Sequence, residues 1–134
     1  MRQRNNKGFT LWELMLASAI LIFALTGLLM LFSNCVLLNE ANRNLSVAVN
    51  HAQYIMEGIR HLSFANIGPQ VAGGTWDWNT ATLAAAGMTP LDSENVVSTT
   101  PDQTANPVSI TVTVNWQDRG RARNVALNAL FTNF

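Results

Sequence analysis

Lys7-Gly8-Phe9-Thr10-Leu11-Trp12-Glu13-Leu14 opens a run in which no residue between Glu13 and Glu40 carries a charge. A helix that crosses a bilayer needs roughly 20 apolar residues, and this run is longer. It holds no proline and one glycine, Gly27. Ser18, Thr26 and Ser33 fit such a helix, because their hydroxyls can bond to carbonyls of the preceding turn. Ahead of the run, Arg2, Arg4 and Lys7 make the first eight residues basic. The positive-inside bias then predicts a cytoplasmic N-terminus.

Downstream the helical rhythm continues but turns amphipathic. Leu38, Ala41, Leu45, Ala48, Ala52, Ile55, Ile59 and Leu62 recur at alternating spacings of three and four, a heptad-like stripe on one face. Asn39, Asn42, Asn50, Gln53 and Glu57 fall elsewhere. The spacing predicts one helix from about Phe9 to about Leu62, its first half suited to lipid and its second to protein. Gly58 weakens its last turns by roughly 1 kcal/mol relative to alanine. His51 and His61 read as surface or capping residues without a ligand set, and Glu57 pairs with Arg60 or His61 on the helix surface.

All four prolines and half of the eight glycines lie between residues 63 and 107, which reads as loop. Within it Thr80 is placed to cap a short helix, Ala81–Ala86, stopped by Gly87, and Val96–Val97 to join a short strand. Trp76 and Trp78 are expected to pack in core or loop. Val108, Ile110, Val112, Val114 and Trp116 then alternate with polar residues, and Arg123, Val125, Leu127, Ala129 and Phe131 alternate again. Two period-2 runs around Gln117–Gly120 predict a β-hairpin, whose apolar face should pack on the helix stripe, since a hairpin alone is marginal.

The expected fold is therefore α+β, a long N-terminal helix on a small C-terminal antiparallel sheet. Its parts are a leader (1–8), a transmembrane or filament-core helix (9–38), an amphipathic continuation (39–62) and a loop-rich globular region (63–134). Formal charge is zero, but the leader holds three of the eight basic side chains, so the rest has an excess of three acids. No basic patch suggests nucleic acid. Only 12% of residues are charged, against about a quarter in soluble domains. The single cysteine, Cys35, forms no internal disulfide and reads as an inert, buried apolar residue. No nucleophile–base pair, metal cluster or phosphate loop emerges; neither an enzyme, a cofactor nor a metal is expected.

Three features of the opening stretch belong together. Gly8 lets a protease approach the peptide bond closely, an aromatic follows, and Glu13 is a lone acid in an apolar helix. An acid there costs roughly 2.5–3.5 kcal/mol at the bilayer centre and less near the interface, so it marks function. Gly8-Phe9-Thr10-Leu11-Trp12-Glu13 resembles the class III signal of type IV prepilins and type II secretion pseudopilins. The resemblance implies cleavage between Gly8 and Phe9 and N-methylation of Phe9 by a membrane prepilin peptidase. It also implies an assembly role for Glu13, paired with the new terminal amine of Phe9 or of a neighbouring subunit. Other pilins or pseudopilins, an inner-membrane assembly platform and lipid are the partners implied. The terminal hairpin is similar to that of minor pilins and pseudopilins. The apolar helix lacks the proline usual in major pilins, a C-terminal cysteine pair is missing, and so is the calcium-loop acid cluster of major pseudopilins. All three point to a minor subunit, first in the inner membrane and then in a periplasmic pseudopilus or cell-surface pilus. A secretory signal peptide fits poorly, because the run is too long and contains Glu13. A lipoprotein signal fits poorly too, with Asn34 before Cys35. The alternative is a single-pass anchor carrying a periplasmic binding domain, which explains everything except the Gly8-Phe9 and Glu13 spacing.

Overall fold

The computed structural model describes residues 8–133; the leader side chains Arg2, Arg4 and Lys7 lie outside them. Helix α1 runs from Leu11 to Arg60 without interruption, two residues short of the expected bounds at each end. Inside it the Ser18 hydroxyl donates to the Met15 carbonyl at 2.9 Å and that of Thr26 to Ile22 at 2.8 Å. The helix tightens at its end, where the Leu62 N–H donates to the Ile59 carbonyl at 3.1 Å.

The described chain forms two compact units that divide between Glu40 and Ala41. In the first, every described residue is exposed. The second is an α+β fold in which the C-terminal part of α1 packs on a four-stranded antiparallel sheet, in order β1-β2-β3-β4. The strands are β1 (Trp78–Asn79), β2 (Asn95–Thr99), β3 (Val108–Asp118) and β4 (Arg121–Phe131). Strand β3 buries every second side chain from Val108 to Trp116. Its hairpin to β4 turns more tightly than expected. Gln117 and Asp118 are still strand, and only Arg119 and Gly120 turn, both at positive φ, 52° and 75°. That is the twist a two-residue hairpin requires.

The core joins Ala48, Ala52, Ile55 and Ile59 of α1 to Ile110, Val112 and Val114 of β3 and to Val96 of β2. The expected stripe is thus buried only in part. Leu45 is 43% and Leu38 64% exposed. For Leu45 the reason is that the inner face of β3 ends at Trp116, just before the hairpin turns; Leu38 lies in the first unit. His51 and Met56 are buried instead, one position from Ala52 and Ile55 on the same face.

Residues 63–107 are richer in structure than their prolines and glycines suggest. Helix α2 (Phe64–Ala72) contains Pro69, which gives up one internal bond, while Ile67 and Val71, four apart, bury in the core. Helix α3 runs Thr80–Ala85 and is capped by Asn79, not Thr80. The Asn79 side chain accepts the N–H of Ala81 at 2.9 Å and of Thr82 at 3.0 Å, and the Thr82 hydroxyl accepts the Asn79 N–H at 2.8 Å. Asparagine outranks threonine as a cap, so the helix starts one residue earlier. Gly87 follows its end at φ 80°. Gly58 has a packing reason: a Cβ there would lie 2.6 Å from Cζ3 of Trp76.

Unfolding of the detergent-solubilised chain in denaturant, followed by tryptophan fluorescence, checks this core. Ile55→Ala should cost about 2–5 kcal/mol, the usual range for deleting a buried aliphatic side chain, and Leu45→Ala much less. Equal losses would contradict the packing described.

Candidate functional site

Gly8 and Phe9 precede α1, outside any helix or strand, and both are exposed, Phe9 to 89%. Thr10 caps the helix and Glu13 stands at its third position. The Glu13 carboxylate accepts both the N–H and the hydroxyl of Thr10 at 2.9 Å, and the Thr10 hydroxyl accepts the Glu13 N–H at 3.3 Å. This reciprocal arrangement is a capping box. The acid therefore has a local structural task that its spacing from Gly8 does not reveal, although Thr10-x-x-Glu13 is itself the capping-box pattern. Its partner is thus Thr10, the residue that follows Phe9.

Beyond Glu13, the large apolar side chains of the first unit are exposed from Leu14 to Leu38, among them Phe23, Leu29 and Phe32. Cys35 is exposed with them, not buried. Among the described residues, one helix, α1, is by length and composition apolar enough to cross a membrane. At 1.5 Å per residue the uncharged run exceeds the roughly 30 Å hydrocarbon core. A continuous apolar surface of this extent on a soluble chain marks contact with lipid or protein.

In the second unit His51 is not a surface residue. Its Nδ1 lies 2.7 Å from Oε1 of Glu94, and both side chains are almost fully buried. Oε2 of Glu94 accepts the Leu91 N–H at 2.6 Å. The same turn is held from the other side, where the Gln117 N–H of β3 donates to the Asp92 carbonyl at 2.9 Å. The pair ties α1 to the turn before β2, since a buried carboxylate must have partners. His51 could have been found from the helix spacing, because it sits between Ala48 and Ile55 on the buried face. Glu94 has no such signal. His61 is exposed, and Glu57 pairs with Arg60 at 3.0 Å on the helix surface. Trp76 and Trp78 pack at the core margin, Trp78 edge-on to Tyr54 with ring centres 6.0 Å apart.

Compared with protein families, curated proteins and solved structures, the chain matches none.

Removing one partner of a buried pair strands the other, whereas replacing both can be nearly neutral. His51→Leu should cost about 3–5 kcal/mol, and the double variant His51→Leu, Glu94→Met should cost less than that single change. Denaturant unfolding decides; additive losses would show that the two side chains act independently.

Proposed function

We propose that this chain is a minor subunit of a type IV pilus or type II secretion pseudopilus, made as a prepilin in the inner membrane with its N-terminus in the cytoplasm. The observation that carries the reading is a single unbroken helix whose apolar half is wholly exposed, opened by Gly8-Phe9 and a lone acid. A bilayer satisfies that surface first. Neighbouring helices satisfy it in a filament, and the backbone bonds stay within the helix throughout. Prepilin peptidase would cut after Gly8 and methylate the amine of Phe9. Glu13 then lies one helical turn from the new cation. In a filament core, with less water around it, the carboxylate attracts the amine of a correctly staggered neighbour far more strongly than in the interface. The His51–Glu94 pair and the sheet hold the globular unit together, and in this reading that unit lies outside, where it meets other subunits and the assembly machinery.

Intact mass of protein from membranes of cells with an active prepilin peptidase should lack residues 1–8 and carry one added methyl. A chain that still begins at Met1 would instead be a plain membrane anchor. Glu13→Gln is the informative variant, because glutamine keeps the capping box and removes only the charge. It should be inserted and cleaved normally yet be depleted from sheared filaments. Equal incorporation of variant and wild type would remove Glu13 from assembly.

A further inference from the structure

The β3–β4 loop has only Arg119 and Gly120 between the paired Asp118 and Arg121. In such a hairpin the closing pair exchanges hydrogen bonds, and every second pair does likewise. Arg121, Arg123, Val125, Leu127, Ala129 and Phe131 therefore bond to β3. Ala122, Asn124, Ala126, Asn128 and Leu130 turn their N–H and C=O groups outward. The Gln117 N–H agrees with this phase. Gln117 stands opposite Ala122 and donates away from β4, to Asp92.

The two edges of the sheet differ. On one side β1 covers the start of β2, and beyond it the Asp77 carboxylate takes the Ser98 N–H at 2.8 Å. On the other side, among the described residues, no strand follows β4. Natural sheets protect long edges with proline, bulges or charges. β4 has no proline, its register has no bulge, and it carries no charge after Arg123. Beside this edge a groove of about 710 Å³ runs between α1 and β4, lined by Gln53, Tyr54, Glu57, Leu127 and Ala129. A second hollow nearer the hairpin is lined by Leu45, Trp116 and Arg123. From Ala41 onward, the exposed large apolar side chains among the described residues are Leu45, Tyr54 and Leu130. Two of them line these hollows, and the third is on β4.

We propose that this side of the globular unit takes an extended segment of another protein as a fifth strand on β4. The segment's backbone meets Ala122 to Leu130, its alternate apolar side chains fill the groove beside α1, and an acidic residue meets Arg121 and Arg123. Strand addition of this kind draws affinity from main-chain bonds and specificity from pockets for alternate side chains. The charge selects the occupant. β4 carries two arginines and no acid, and Asp118, opposite Arg121 and lining the same hollow as Arg123, offsets only one of them, so β4 of a second copy would bring nothing to pair with the positive charge that is left. The inference is independent of filament assembly, because every group in it belongs to the folded unit.

Residue-resolved hydrogen exchange on the full chain in detergent tests it, with and without the probe peptide acetyl-Glu-Thr-Val-Thr-Val-Thr-Val-Thr-amide. Alone, the amides of Ala122, Asn124, Ala126, Asn128 and Leu130 should exchange fast and those bonded to β3 slowly. With the peptide the five outward amides should slow by an order of magnitude or more. Lysine in place of the peptide's glutamate should weaken the effect. Ala126→Pro deletes an outward N–H and no bond to β3, so it should unfold normally yet lose the protection. A peptide N-methylated at its edge-facing residues makes the same test with the protein unchanged, and should not protect. Absence of protection at these amides overturns the proposal. So does protection of the chain alone that rises with its own concentration, which would make a second copy the occupant.

Discussion

The sharing of one core by Ala48, Ala52, Ile55 and Ile59 of α1 and the inner face of β3 is the constraint on which the globular unit rests. Neither partner is stable by itself. A hairpin is marginal in water, and a helix draws most of its stability from the face it packs. Alanine at 48 and 52 brings the sheet close to the helix, and glycine at 58 makes room for the ring of Trp76. Gly58 thus lowers helix propensity where packing needs the absence of a side chain, a local conflict that tertiary structure resolves.

The same helix includes a stretch, up to Glu40, in which every described residue is exposed. Its two halves obey opposite solvent rules. From Ala41 onward the apolar stripe is narrow and polar residues fill the rest of the circumference. Ahead of Glu40 the surface is apolar all round, with Glu13 at its start. A helix apolar on every side is stable only when lipid or other protein surrounds it. Under the proposed function, lipid and then neighbouring helices would meet this one requirement in turn; the capping box at Thr10 and Glu13 secures the helix start.

Strong periodicity made much of this legible. The long helix, the alternation of β3 and β4 and the turn glycine at 120 all repeat a pattern over many residues. The partial burial of the stripe was not legible, because spacing marks a face but not how far the partner sheet reaches. Pro69 and the glycines around it concealed α2, where burial of Ile67 and Val71 outweighs one lost helix bond. Two good caps, Asn79 and Thr80, stand side by side, and the start of α3 turns on which of them closes the capping box with Thr82. The His51–Glu94 pair joins residues 43 apart in sequence, and no local rule links them. At the N-terminus one acid, Glu13, serves two patterns at once, its spacing from Gly8-Phe9 and the Thr10-x-x-Glu13 capping box, and the first does not disclose the second.

The central claim is that the uncharged half of α1 is hidden from water while the half beyond Glu40 carries a folded, water-exposed unit. Single cysteines placed in a Cys35→Ser background test it in intact membranes with a water-soluble maleimide. Asn50→Cys, on an exposed position of the globular unit, should label readily once the reagent reaches that side. Leu25→Cys, in the middle of the apolar half, should label only after the membrane is dissolved and the protein denatured, because a thiol in hydrocarbon stays protonated. Labelling of both sites at similar rates in intact membranes would contradict the account.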